Sequence, residues 1–255
     1  MASKKQIVDC ICCWYDFLGF GSPFVDAGWD LTNKIADKSI DRICSEAIDF
    51  RGFYSFADKT TRFHCNDGIA TNYDLEQGKE NELERLKIIT FLDGIITDYE
   101  IINATDKSNG YPGVRGVLTA GHRLNHYDAI SLAEMNGRIV SYHPKEFQLN
   151  TAFSKASIVE ESGSRHGIHG PVLYVDKELF SMLRKHGFFI AEEEIDDAFV
   201  FSVSNGAITL YTEKETVTYD YKGISTVFYK LKKKFSYIDE VYETPKIPDY
   251  GSIQE

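Results

Sequence analysis

Asp16 and Asp67 are the residues around which chemistry is most readily built in this chain. Asp16 arrives where an apolar run over residues 7–15 ends, and Gly19 follows within a turn. The run reads as a buried strand, so a carboxylate at its mouth can face a ligand. Asp67 lies inside Asn66-Asp67-Gly68, strong turn chemistry between arms at 61–65 and 69–73, which places it at the tip of a hairpin. If strand and hairpin lie side by side, both carboxylates point into one mouth. Two hard oxygen ligands with open positions suit magnesium or manganese bound together with a triphosphate. A lone turn aspartate is ordinarily a turn former or a helix cap, so the reading rests on the pair.

The elements that must position the pair follow in order. Gly21-Ser22-Pro23-Phe24 turns into a helix that Leu31, Ile35, Ile40, Ile43 and Ala47 continue at helical spacing. An aromatic stretch over 50–56 precedes the hairpin. From Glu80 to Ile102, Leu83, Leu86, Ile89, Ile95, Ile96, Tyr99 and Ile102 mark one face of a long helix, and residues 106–113 read as a loop. Residues 114–121 form a strand whose glycines suggest close approach by another backbone or a ligand. The first 120 residues thus have a βαββαβ order, the α/β (α+β) plan of a mostly antiparallel sheet covered by helices. Further on, the pattern predicts helices over 127–135, 150–161 and 177–186, strands over 138–142 and 171–176, and a hairpin over 198–211 turning at Ser204-Asn205-Gly206. Residues 1–176 are expected to be the core and 177–255 an extension packed on it, ending in a short tail.

The chain has 255 residues, enough for a sizeable core, and a formal net charge of −11. That balance argues against a nucleic-acid groove, which needs clustered Lys and Arg; the basic run 230–234 reads as a solvated helix or strand end. No apolar run is long enough for a membrane span, and the N-terminus lacks the apolar region of a signal peptide. Five cysteines, three of them crowded as Cys10, Cys12 and Cys13, suit reduced thiols in the cytoplasm better than a disulfide framework. The histidines are dispersed, and His64 beside Cys65 lacks metal-ligand spacing.

Four motifs in order carry a family resemblance over residues 7–176. Asp16-Phe17-Leu18-Gly19-Phe20 resembles the D-I-x-G-F signature of class III nucleotidyl cyclases, and Asn66-Asp67 resembles that family's second metal carboxylate. The stretch 114–121 is similar to its R-x-G-x-x-x-G strand, and 156–160 to the helix that follows. The combination is closest to the pyrimidine cyclases of bacterial anti-phage defence. The resemblance implies a homodimer with active sites at its interface, converting UTP (favoured) or CTP to a cyclic nucleotide that a separate effector reads. It implies two Mg2+ or Mn2+ ions, a metal site of Asp16, Phe17 and Asp67, and a substrate site of Phe17, Leu18, Gly19, Phe20, Asn66 and Arg115. The Phe17 to Phe20 amides would cradle the phosphates.

The chain departs from the purine enzymes of that family. Phe63 stands where they carry a base-reading Lys, and Phe147 where adenylyl cyclases carry an Asp. A narrower base pocket is expected around Phe63, Tyr54 and Arg51. Ser154 and Ile158 fall where the family has an Asn and a transition-state Arg, so either another cation, such as Arg165, Arg115 or a C-terminal Lys, supplies that charge or catalysis relies more on the metals. The alternatives are a cyclase-like module that binds nucleotide without chemistry, a purine cyclase, or a palm-type enzyme sharing the βαββαβ core. The last lacks support because no acidic GGDEF-like hairpin is present.

Overall fold

In the computed structural model, residues 6–49, 60–75, 81–125, 132–135, 138–142 and 144–236 are described. A nine-stranded sheet organises them. Its first strand, β1 (Gln6–Phe17), is the apolar run of the sequence, extended by Asp16 and Phe17. Two helices follow, α1 (Ser22–Asp26) and α2 (Lys34–Asp49), where one was expected. They are separated because Gly28 and Trp29 both adopt positive φ, 63° and 62°, which no helix continues through.

The hairpin forms as expected from β2 (Thr60–Cys65) and β3 (Gly68–Leu75), with Asn66 at φ 51° in the turn. Helix α3 (Glu82–Ser108) is longer than expected and absorbs Asp106, Lys107 and Ser108 from the anticipated loop. Asp106 is buried there against Arg42 of α2, a tertiary contact that sequence periodicity does not register. Leu83 and Leu86, expected on the buried face, are 60% and 54% exposed, because α3 meets the core only from Ile88 onward.

Strand β4 (Val114–Asn125) completes the βαββαβ unit in the sheet order β2-β3-β1-β4. Leu132–Met135 is β5, paired with β6 (Arg138–Tyr142), so the helix expected over 127–135 is corrected at 132–135, and 127–131 lie outside the described residues. Asn136-Gly137 between them is a hairpin signal that the helical reading passed over. Helix α4 (Thr151–Ser162) starts at Asn150, whose side chain accepts from the Phe153 N–H. A 3-10 turn (Gly163–His166) leads to β7 (Leu173–Asp176) and α5 (Lys177–Lys185). Then come β8 (Ile190–Ile195), β9 (Ala198–Val203), β10 (Ile208–Tyr221) and β11 (Ile224–Ser236).

These strands extend the same sheet in the order β4-β7-β11-β10-β9-β8. Every pairing is antiparallel except β4 with β7. Side chains alternate across β1, and this alternation sorts the layers. Ile11, Cys13, Tyr15 and Phe17 enter the main core with α3 and α5, and the Tyr15 hydroxyl donates to the Ile95 carbonyl at 2.6 Å. Cys10 and Cys12 lie on the other face with Ala152 of α4, where Trp14 and Phe153 also pack.

The basic run 230–234 is inside β11 rather than at a solvated end. Lys230 reaches Glu213 and Glu215 at 3.5 and 3.4 Å, and Lys234 pairs with Asp93 of α3 at 2.5 Å with both side chains 4% exposed. Carboxylates on neighbouring elements make that burial tolerable. Cys10, Cys12, Cys13 and Cys65 are free thiols. Among the described residues no helix is long and apolar enough to cross a membrane.

Candidate functional site

The pairing register brings the two aspartates together. Asp16 sits opposite Gly68 of β3 on one side and Arg115 of β4 on the other. The Phe17 N–H donates to the Asp67 carbonyl at 2.8 Å, which fixes the hairpin tip against the end of β1. Asp16 and Asp67 line one cavity of about 460 Å³, together with Phe17, Gly19, Phe20, Gly21, Ser22, Val25 and Asp26. Asp26 is a third carboxylate on this cavity. Nothing in its sequence context distinguishes it from a helix-end acid.

The turn after Asp16 is pinned from behind by Arg42. This buried guanidinium donates to the Leu18 and Gly113 carbonyls at 3.0 Å each, pairs with both carboxylate oxygens of Asp106, and lies over the rings of Phe17 and Tyr111. Three of the four amides expected to cradle phosphate are engaged within the fold. Phe17 donates to Asp67, Leu18 to the Gly113 carbonyl at 3.0 Å, and Phe20 to the Phe17 carbonyl at 3.1 Å. Of the four, Gly19 alone has no such bond among the described residues, and its φ of 71° is what turns the chain there.

Charge is concentrated around Asp16. Its carboxyl is pushed up to about 7, first by burial, then by the charges of Glu160 and Asp67, with Arg115 acting in the opposite direction. Glu160, on α4, was not marked as a site residue by the sequence. Its charge helps to raise the Asp16 carboxyl, and it takes two N–H groups of Arg115. Arg115 stands 3.9 Å from Asp16 and thus bridges two acids.

Of the base-pocket residues, Tyr54 and Arg51 lie outside the described residues. Phe63 packs on Phe147 with ring centroids 5.9 Å apart, Phe147 on Phe153 at 5.4 Å, and Phe153 on Trp14 at 5.8 Å. The two positions read as base-recognising are therefore in contact, in a run of four rings. Trp14 in turn covers Gly68, where a Cβ would fall 2.0 Å from the indole. Gly121, another glycine expected to permit close approach, admits the backbone of α4, since a Cβ there would meet the Ala152 nitrogen at 2.7 Å. Asn66 is exposed in the turn. On α4, Ser154 is exposed and its hydroxyl donates to the Asn150 carbonyl, while Lys155 is held by Asp176 at 2.7 Å.

The donor set fits divalent magnesium or manganese. Asp16 and Asp67 present hard oxygens on one cavity, and a dication there would offset the charges of Asp67 and Glu160, which add to burial in raising the Asp16 carboxyl. No group of three His, Cys, Asp or Glu among the described residues could hold a metal ion by itself. Two carboxylates leave coordination positions for a substrate's own oxygens.

No protein-family model matches the chain, and no curated protein does. Solved structures that resemble it include the adenylyl cyclase CyaB from P. aeruginosa, at 9% identity and TM-score 0.49, over 90% of this chain and 96% of that one. The catalytic core of a rhodopsin-guanylyl cyclase with converted specificity, in complex with ATPalphaS, gives 8% identity and TM-score 0.46 over 91% and 100%. The guanylate cyclase domain of RhGC from Catenaria anguillulae, in complex with GTP, gives 9% and 0.45 over 91% and 100%. Likenesses of this size assign neither substrate nor residue roles to this chain.

Proposed function

We propose that this protein is a metal-dependent nucleotide cyclase that closes a pyrimidine nucleoside triphosphate, UTP in preference to CTP, to the 3′,5′-cyclic nucleotide and pyrophosphate. The observation that carries the reading is the meeting of Asp16 and Asp67 on one cavity, with Arg115 on the strand directly opposite Asp16. Asp16, Asp67 and the Phe17 main chain would hold Mg2+ or Mn2+. When bound, the metal would supply Lewis-acid activation of the ribose 3′-hydroxyl and offset charge on the departing pyrophosphate.

The chain's own groups do the positioning. Arg42 fixes the turn that carries Gly19, whose N–H is open to a phosphate oxygen. Arg115, opposite Asp16 on β4, would offer its guanidinium to the phosphates, and Phe17, Phe20 and Val25 form the apolar part of the cavity lining. The pyrimidine preference is supported by Phe63 and Phe147, which stand in contact at the two positions read as base-recognising and carry neither a Lys nor an Asp for a purine edge. A homodimer with sites at its interface is supported by exposed apolar residues, Val25 on the cavity and Trp29 and Leu31 between α1 and α2, at 60%, 72% and 63% exposure. In such an assembly the cyclic nucleotide would act as a second messenger in anti-phage defence, read by a separate effector.

The test is incubation with each of the four NTPs and manganese, with products separated by mass spectrometry. Cyclic UMP or cyclic CMP is expected, and Asp16→Ala and Asp67→Ala should each abolish it. Turnover retained in either variant removes the mechanism, and cyclic AMP or cyclic GMP removes the pyrimidine assignment. A second reading, a module that binds nucleotide without chemistry, is favoured by α4, which offers Ser154, Ile158 and the tied Lys155 instead of a free Arg. Tight nucleotide binding without pyrophosphate release would select it.

A further inference from the structure

Arg115 already has an acid directly opposite it, in Asp16 on the neighbouring strand. Yet its closer partner is Glu160, 8% exposed on α4, which accepts both the Nε–H at 2.9 Å and an Nη2 hydrogen on the single oxygen Oε1. Neutralising the guanidinium would not require this second carboxylate, and holding it beside Asp16 incurs like-charge repulsion. What the grip does accomplish is orientation. A guanidinium is planar with five N–H groups in a fixed fork, so fixing the Nε/Nη2 edge fixes the direction of Nη1. Among the described residues Nη1 has no acceptor, and it is not buried. The helix that carries Glu160 is itself anchored, through Lys155 to Asp176 and through the Thr119 hydroxyl to the Ala152 carbonyl at 2.9 Å.

We propose that Glu160 is a positioning residue: by gripping one edge of Arg115 it holds the Nη1 edge ready for a phosphate oxygen of the substrate. Glu160 itself touches no substrate. The inference rests on the function proposed above for the identity of the anion.

The probe is inorganic triphosphate with magnesium, titrated calorimetrically into the full chain and its Glu160→Ala, Glu160→Gln, Arg115→Ala and Glu160→Ala/Arg115→Ala variants. Glu160→Ala should weaken binding about tenfold, the scale of one charge-assisted hydrogen bond. Glu160→Gln should keep most of the affinity, because its amide oxygen still accepts from Nε. In the Arg115→Ala background, loss of Glu160 should have no further effect. Binding that is unchanged or tighter in Glu160→Ala, or losses that simply add in the double variant, would overturn the proposal. Should Glu160→Ala fail to fold, the same cycle with Glu160→Gln decides, a small loss present only with Arg115 intact being expected. Triphosphate binding by the wild type, together with no cyclic product from any of the four NTPs, would remove the cyclase reading, and the variants would still decide this inference. A wild type that binds no triphosphate would overturn this inference, while product formation from the four NTPs decides the cyclase reading separately.

Discussion

Replacing Asp16 by Asn should make the metal-free protein more stable, at the residue on which the proposed activity depends. The Asp16 carboxyl is pushed up to about 7 from an ordinary 3.8, burial being the largest cause and the charges of Glu160 and Asp67 the next. Between those values the folded chain keeps a proton that the unfolded chain has released. Stability contributed by this group therefore falls as pH rises through that window, and it stays lowered above it. At 1.36 kcal/mol per pH step the full penalty at pH 8 is about 4 kcal/mol. The side chain remains 21% exposed, and solvent screening brings the expected figure to about 2–4 kcal/mol. Asparagine cannot ionise, so Asp16→Asn removes that penalty while keeping the shape. Urea unfolding in excess chelator should show the variant more stable than wild type near pH 8, by about 2–4 kcal/mol, or about 5–10 °C in Tm. The advantage should shrink toward zero below about pH 3, where the carboxyl is protonated in both folded and unfolded states. A variant that is no more stable at pH 8, or an advantage independent of pH, would refute the charge-crowding argument. Saturating magnesium should stabilise the wild type and leave the variant unmoved.

Asp106→Ala takes from Arg42 the carboxylate it meets in a buried pair, and should cost about 3–5 kcal/mol in denaturant unfolding while loosening the turn after Asp16. Gly68→Ala places a methyl 2.0 Å from the Trp14 ring, so a shift in tryptophan emission and weakened magnesium binding are expected; an unchanged spectrum would contradict the placement of the indole. Phe147→Ala should lose about 3–4 kcal/mol, measured by urea unfolding, because the ring is buried against Phe63 and Phe153.

Local chemistry made several features legible in the sequence. The apolar run ending at Asp16, the Asn66-Asp67-Gly68 turn and the glycine strand at 114–121 are each set by neighbours within a few residues, and the βαββαβ order follows from them. Signals that compete locally were harder to separate. The stretch 127–135 has helical apolar spacing, but its last part, Leu132–Met135, pairs as a strand with Arg138–Tyr142. Asp106 looked like loop chemistry because its partner, Arg42, lies 64 residues away.

By itself the sequence determined that two carboxylates stand at the ends of strand and hairpin, because alternation and turn type are properties of short segments. Only the tertiary structure decided what surrounds them. The strand register set Arg115 opposite Asp16, and the packing of α4 brought Glu160 to both. The burial of Arg42 fixed which amides of the turn remain open. These are contacts between residues far apart in the chain, and their energies arise from desolvation and charge proximity that exist only once the layers have packed.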